Sequence, residues 1–201
     1  VLVGTRLAAD TVKATKMDRP EWGCANPLNG EVYMTLTNNN TGRGTTVPFD
    51  AANPRDYDDV DGKKFTGGNP NGHIIRFAEM DSKASATSFK WDVYVFGAEA
   101  DADANTNLSK LTDDNDFSAP DGLWFDPRGV LWIQTDDGAY TDVTNCMMLA
   151  AVTGKVGDGE EITVNGQKTF KGKNPENDLR RFLVGPIDCE ITGVDMTPDY
   201  K

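Results

Sequence analysis

The segment Arg19-Pro20-Glu21 places a guanidinium and a carboxylate two residues apart, on either side of a proline. Proline fixes its own φ and favours extended geometry in the preceding residue, so the segment is not expected inside a helix. Side chains two residues apart in an extended chain point to the same face. The pair is either an ordinary surface ion pair or a site where arginine binds an oxyanion and glutamate binds a cation.

The counts of other reactive residues narrow the possible chemistry. His73 is the single histidine, which excludes zinc sites built from several histidines. Three cysteines without CxxC spacing do not support a zinc finger, and there is no GxSxG motif for a serine nucleophile. Catalysis is therefore expected to depend on carboxylates, arginine, asparagine or a metal ion that they hold. His73 itself is expected to have a structural role.

Composition limits the partners of the 201-residue chain. Its 32 acidic and 20 basic residues give a net charge of −12, which argues against nucleic acid as a partner. The acidic balance suits a secreted or periplasmic protein, or one that binds hard cations. No apolar run is long enough to span a membrane. The chain lacks an initiating Met and a signal peptide, so we expect it to be a portion of a longer chain that carries the export signal.

Short β-branched and aromatic segments bounded by Gly, Pro, Asn or Asp predict an all-β antiparallel fold. The segment around residues 144–152 is consistent with either a helix or a strand. The predicted strands are EVYMTLTNN (31–39), GHIIRFAEM (72–80), SFKWDVYVFG (88–97), GLWFD (122–126), VLWIQTD (130–136), EITVNG (161–166) and EITGVDM (190–196).

A repeated hairpin pattern indicates how these strands are organised. NPLNGEVYMT, which begins at Asn26, matches DPRGVLWIQT, which begins at Asp126, and TPDYK at Thr197 resembles the start of a third copy. Similar hairpins far apart in a chain favour a β-propeller, here a partial one, over a β-sandwich. A partial propeller would expose sheet edges, which we expect to pair with further blades or with another chain.

Several longer motifs resemble one family along nearly the whole chain. ATKMDRPEWG, NPLNGEVYMTLTNN, NPNGHIIRF, SAPDGLWFDPRGVLWIQTD and RRFLVGPIDCEITGVDMTPD are similar to segments of the PhoX family of alkaline phosphatases. The resemblance implies a β-propeller, export to the periplasm or beyond, and a site with Ca²⁺ and Fe³⁺ that hydrolyses small-molecule phosphomonoesters.

The resemblance also implies roles for four residues. Arg19 resembles an arginine that binds substrate phosphate, and Glu21, Asp121 and Glu190 resemble metal ligands. Asp126 is assigned to the turn instead, because Asx-Pro-x-Gly is a turn signal. Weaker candidates for the site are Asp136 and Asn145, for which strand-end and turn roles are favoured.

Part of the family's metal site is expected to lie outside this sequence. The iron site is expected to use a further cysteine and glutamate upstream of Val1, and Cys24, Cys146 and Cys189 do not lie in the corresponding motif. The resemblance therefore implies that the 201 residues are inactive alone.

Two other functions remain open at the level of sequence. PDGLWFDPRGVLW also resembles a motif of calcium-dependent propeller lactonases and esterases, in which Arg19 would have no evident role. A propeller that serves only as a binding scaffold is the alternative without catalysis.

Overall fold

The computed structural model describes residues 3–40, 43–45, 47–59, 67–136 and 145–199. These residues form ten strands, one short α-helix and one 3₁₀ turn. Within these ranges, no helix is long and apolar enough to cross a membrane. The elements are α1 (Thr5–Thr11), β1 (Pro20–Ala25), β2 (Val32–Leu36), β3 (His73–Glu79), the 3₁₀ turn (Met80–Ser82), β4 (Phe89–Phe96), β5 (Pro120–Phe125), β6 (Val130–Thr135), β7 (Met147–Val152), β8 (Glu160–Val164), β9 (Gln167–Lys171) and β10 (Leu179–Val184).

The strands form two open sheets. The larger sheet has the order β1-β2-β3-β4-β9-β8, and the smaller has the order β10-β7-β6-β5. Neighbouring strands are antiparallel except for β4 and β9, which pair in parallel. The predicted predominance of β structure is confirmed, and neither sheet closes on itself within the described residues.

The main hydrophobic core joins the two sheets. Tyr33 on β2 contacts Phe125 on β5 edge-on at a centroid separation of 5.1 Å, and contacts Tyr94 on β4 at 5.4 Å. Each large apolar side chain of this kind contributes about 1.5 to 3 kcal/mol when fully buried. Other buried members of this core include Ile74, Val95, Phe117, Leu123, Leu131, Ile133, Met147, Leu149 and Leu179. The relative position of the sheets therefore depends on this shared core.

Two of the predicted hairpins begin with the same Asx-Pro turn, although the first turn is one residue longer than the second. The side-chain oxygen of Asn26 accepts a hydrogen bond from the Leu28 amide at 2.9 Å, and that of Asp126 accepts one from the Arg128 amide at 2.9 Å. Each turn then continues through a glycine with positive φ, Gly30 at 76° and Gly129 at 86°. The repeated Asx-Pro pattern thus forms two equivalent β-hairpins, β1–β2 and β5–β6.

The prediction of a strand at residues 190–196 is wrong. This segment is not part of either sheet, and most of its residues are exposed or half-buried. Its β-branched residues lack a neighbouring strand against which to pack, and strand propensity depends on such packing. A third hairpin beginning at Thr197 is likewise not formed among the described residues, and Tyr200 and Lys201 lie outside them. The ambiguous segment at 144–152 contains strand β7.

The buried His73 makes the stability of the fold sensitive to acid. Nε2 lies 2.7 Å from the Ala52 carbonyl oxygen and Nδ1 lies 2.8 Å from Nδ2 of Asn69. Burial lowers the pKa of His73 from 6.5 to about 4, with the nearby Asp18 acting in the opposite direction. The imidazole is therefore neutral in the folded protein at pH 7, as expected for a structural role.

We expect acidification to destabilise the protein through this histidine. The unfolded chain takes up the proton near pH 6.5, whereas the folded chain resists it down to about pH 4. Stability is thus fully present above pH 6.5 and falls by about 2 to 3 kcal/mol as the pH drops toward 4.5. Urea unfolding between pH 7 and 4.5 should give a steeper loss for the wild type than for His73→Gln. Equal slopes would contradict this account of His73.

Candidate metal and oxyanion site

The candidate site lies where edge strands β1 and β5 of the two sheets meet. The buried hydroxyl of Thr35 on β2 accepts a hydrogen bond from the Trp22 amide at 2.9 Å and lies 2.8 Å from the Asp121 carbonyl oxygen, to which it donates. The Trp22 carbonyl is farther away, at 3.3 Å. One side chain therefore connects β1, β2 and β5 next to Glu21 and Asp121.

Strands β1 and β5 begin with the same unusual backbone. The residue before each initial proline has positive φ, 49° for Arg19 and 45° for Ala119. The pairing then shifts between Pro20 and Gly23 in β1, and between Pro120 and Leu123 in β5. In each shift two residues oppose one on the neighbouring strand, which is a β-bulge that redirects side chains.

The bulges place Glu21 and Asp121 at equivalent positions, directly after the proline. Gly122 follows in β5, where a Cβ atom would lie 2.3 Å from Oε1 of Gln134, so a larger residue would not fit without movement. The equivalence of the two carboxylates was not evident from the sequence, because it depends on the register of pairing.

A second equivalence brings Asp136 into the site. The Thr37 amide donates to the Arg19 carbonyl at 3.1 Å, and the Asp136 amide donates to the Ala119 carbonyl at 3.1 Å. The end of β6 is thereby held against the start of β5, in the same way as the end of β2 is held against the start of β1. Asp136, a weak candidate from sequence, thus lies beside Asp121.

Glu190 completes an acidic cluster with Asp121 and Asp136. One ligand atom from each residue lies within 4.8 Å of the other two. Glu190 follows β10 in a loop that is held by the Gly185 amide, which donates to the Cys146 carbonyl at 2.9 Å, and by Asn145, whose Nδ2 donates to the Gly185 carbonyl at 2.9 Å. Asn145 therefore supports the loop through a hydrogen bond to a residue far away in the sequence, and the turn role favoured from sequence stays a prediction.

Arg19 and Glu21 lie beside this acidic cluster. Nη2 of Arg19 is 3.6 Å from Oε1 of Glu21, and Nη1 donates to Oδ1 of Asn38 at 2.8 Å. The Arg19 side chain is 59% exposed, so its guanidinium is accessible to a ligand. Glu21 is not one of the three clustered carboxylates, although its charge acts on Asp121.

The electrostatics of the acidic cluster favour a bound cation. Partial burial is the largest cause that raises the pKa of Asp121, followed by the negative charges of Glu21, Asp136 and Glu190, while Arg19 acts in the opposite direction. Several carboxylates at this separation repel one another, and a cation relieves that repulsion. A set of carboxylate oxygens fits a hard cation such as Ca²⁺.

Asp126 has the turn role assigned to it from sequence, and the environment of Cys24 does not favour metal binding. Asp126 accepts hydrogen bonds from the amides of Arg128 and Val130 at 2.9 and 3.0 Å, so its carboxylate is used by the turn. Burial raises the pKa of the Cys24 thiol to about 12, so Cys24 is not a ready thiolate ligand.

The comparison with protein families identifies the chain. Residues 1–201 match the family model described as alkaline phosphatase PhoX. The chain belongs to the PhoX family. A solved structure described as Pseudomonas fluorescens PhoX in complex with vanadate, a transition state analogue, is similar to it with a TM-score of 0.72 and 35% sequence identity.

That similarity covers 97% of this chain and 30% of the Pseudomonas fluorescens PhoX chain. The 201 residues thus span less than a third of the length of this PhoX relative. No match was found among curated proteins.

The acidic cluster predicts a specific effect of Asp121→Asn on cation binding. The wild-type chain should bind Ca²⁺, and loss of one charged ligand should weaken its affinity by about tenfold or more. Asp195→Asn is the matched control, since Asp195 is exposed and outside the acidic cluster. Isothermal titration calorimetry would contradict the assignment if both variants bound Ca²⁺ like the wild type.

Thr35→Val should separate the role of the hydroxyl from that of packing. Valine has a similar shape but leaves the Trp22 amide and the Asp121 carbonyl without their partner, which we expect to cost about 1 to 3 kcal/mol. Thr35→Ser keeps the hydroxyl and serves as the control. Chemical denaturation should show the larger loss for valine, and a valine variant as stable as the serine variant would disprove the proposed link.

Proposed function

We propose that this chain forms part of a metal-dependent phosphomonoesterase that releases phosphate from small-molecule phosphate esters. The observation that carries the proposal is the meeting of Asp121, Asp136 and Glu190 within 4.8 Å, next to an exposed arginine. Membership of the PhoX family and the similarity to a vanadate complex support it. Vanadate imitates a phosphoryl group during transfer, which is the chemistry proposed here.

Arg19 is the proposed phosphate-binding residue. Its contacts with Asn38 and Glu21 use only part of the guanidinium, which carries five N–H donors. The remaining donors match the geometry of phosphate oxygens, and the charge persists at alkaline pH. Arg19 would thus orient the phosphoryl group and balance its negative charge.

Asp121, Asp136 and Glu190 are the proposed metal ligands, with Glu21 as a further ligand from the equivalent position on β1. The proposed ions are Ca²⁺ and Fe³⁺, both of which accept carboxylate oxygens. Bound metal would supply charge neutralisation at the phosphoryl group and lower the pKa of an attacking oxygen. The carboxylates hold this charge next to the guanidinium, so that one substrate phosphate can contact both.

The architecture we propose for the complete protein is a β-propeller. Strands β1–β4 form one four-stranded antiparallel unit, and β5, β6, β7 and β10 form another. The first strands of the two units, β1 and β5, lie together and share the Thr35 hydroxyl as a hydrogen-bond partner, as expected for the inner strands of neighbouring blades. The hairpin β8–β9 is then an insertion that joins the outer edge of the first blade.

The 201 residues are proposed to be one portion of this propeller. Coverage of only 30% of the Pseudomonas fluorescens PhoX chain supports this, because the remaining blades and metal ligands would come from outside the given sequence. Free sheet edges at β8 and β10 could pair with those blades. We further propose a periplasmic or secreted location, in keeping with the acidic composition.

The proposed activity is tested by hydrolysis of p-nitrophenyl phosphate by the complete chain. Turnover should require Ca²⁺, stop on addition of a chelator, and fall by about 100-fold or more in Arg19→Ala, since removal of one stabilising donor has an effect of this size. Arg128→Ala is the control, because Arg128 is an exposed arginine bound to the turn residue Asp126. The isolated 201 residues should show no turnover.

Three outcomes would each contradict a part of this proposal. Normal metal-dependent turnover by the isolated 201 residues would show that they contain a complete active site, contrary to the proposal that they carry part of one. Lactone hydrolysis without phosphatase activity, unaffected by Arg19→Ala, would support the lactonase alternative. A folded complete chain that binds no metal and hydrolyses neither substrate would support a binding scaffold.

A further inference from the structure

The backbone at Arg19 is held in a conformation that it would not adopt by itself. Its φ of 49° lies in the left-handed region, and Pro20 follows directly. Non-glycine residues in this region are strained by about 1 to 3 kcal/mol, and a following proline adds further restriction. Contacts around residues 16–19 must therefore fix this conformation.

Asp18, the residue directly before Arg19, is itself buried and is anchored in a largely buried hydrogen-bond network. Nε and Nη2 of Arg43 donate to its Oδ1 at 2.8 and 2.6 Å, and Nδ2 of Asn39 donates to the same atom at 2.8 Å. Nδ2 of Asn69 donates to Oδ2 at 3.2 Å, and the Asp18 amide donates to Oδ1 of Asn53 at 3.1 Å. We call these five residues the Asp18 network.

Arg43 also fixes the chain on the other side of Asp18. Its Nη2 donates to the Lys16 carbonyl at 2.6 Å, and its Nη1 donates to the Pro48 carbonyl at 3.0 Å. A single guanidinium thus holds both the side chain of Asp18 and the backbone two residues earlier. Arg43 and Asp18 side chains are 1% and 0% exposed, so water does not compete for these bonds.

The same segment of chain contacts Asp18 and the Arg19 side chain. Thr37 donates its amide to the Arg19 carbonyl, Asn38 accepts a hydrogen bond from Nη1 of Arg19, and Asn39 donates to Asp18. Three consecutive residues after β2 therefore contact the backbone of Arg19, its guanidinium and the carboxylate beside it. Any displacement of Asp18 would be transmitted to both ends of Arg19.

We infer that Asp18, held by Arg43, is a positioning residue for the oxyanion-binding guanidinium of Arg19, an inference that rests on the proposed function. Asp18 does not touch the substrate. It fixes the strained backbone from which Arg19 extends, so that the guanidinium remains beside the acidic cluster. Misplacement of a binding group by about 1 Å can reduce catalysis by about 100-fold, which gives such a residue a measurable effect.

A second buried ion pair supplies a matched control. Nε and Nη2 of Arg76 donate to Oδ1 and Oδ2 of Asp92 at 2.7 and 3.0 Å, and the two side chains are 1% and 0% exposed. This pair joins β3 and β4 in the same sheet. None of the hydrogen bonds that define the Asp18 network involves Arg76 or Asp92. Asp92→Asn removes an equally buried charge without acting on Arg19.

The test compares Asp18→Asn with Asp92→Asn in the complete chain loaded with metal. Measurements are vanadate affinity, metal content by elemental analysis, and kcat and KM for p-nitrophenyl phosphate. Asp18→Asn should weaken vanadate binding by about tenfold or more with unchanged metal content, whereas Asp92→Asn should leave vanadate affinity unchanged. Equal vanadate affinities in the two variants would overturn the inference.

A double-mutant cycle shows whether Asp18 acts through Arg19. If it does, Asp18→Asn should not weaken vanadate binding further in a chain that already carries Arg19→Ala. Additive losses would overturn the positioning role.

Should Asp18→Asn fail to fold, Arg43→Lys is the substitute, since lysine keeps the charge but lacks the planar set of donors. If Arg19→Ala itself leaves vanadate affinity unchanged, the proposed function fails rather than the role of Asp18 alone.

Discussion

The contact between β1 and β5 through the Thr35 hydroxyl is the constraint on which the candidate site depends. Both strands lie at sheet edges, so no ladder of backbone hydrogen bonds joins them. Thr35 supplies a single buried link between the Trp22 amide and the Asp121 carbonyl. Together with the apolar core beneath it, this link sets how close the carboxylate on one sheet comes to the arginine on the other.

The two hairpins could be predicted from sequence because their turn chemistry is local. Asn26 and Asp126 each begin an Asx-Pro turn, and a glycine supplies the positive φ that follows. Strand β1 could not be predicted in this way, since PEWGCA contains proline and glycine and is mostly exposed. It is tolerated as a strand because it lies at an edge, where proline need not donate to a neighbour.

For the candidate site, too, residues in recognisable motifs could be predicted from sequence, whereas residues placed by contacts distant in the chain could not. The family resemblance indicated Arg19, Glu21, Asp121 and Glu190, whose roles remain predictions. The sequence gives little indication of Asp136, because its place beside Asp121 depends on a hydrogen bond to Ala119 that only the folded chain makes. Asp18 lies within the motif ATKMDRPEWG, but the sequence assigns it no role, and its importance is evident only from the buried groups around it.

The site combines opposite electrostatic requirements within a strongly acidic chain. In the proposed site, a cation bound at the acidic cluster and an anion bound at the adjacent arginine would each favour the binding of the other. The net charge of −12 would disfavour an approaching phosphate ester unless metal ions and Arg19 reverse the local potential. The buried pair of Asp18 and Arg43 would hold the positive charge of Arg19 at the place where an approaching phosphate ester needs it.

The central claim is that the starts of β1 and β5 build one site for metal and oxyanion. The most direct measurement is a crystal structure of the complete chain grown with Ca²⁺ and vanadate. The account predicts a cation at about 2.3 to 2.6 Å from oxygens of Asp121, Asp136 and Glu190, with vanadate in contact with the cation and with Arg19. A cation bound elsewhere, or vanadate bound away from Arg19, would contradict it.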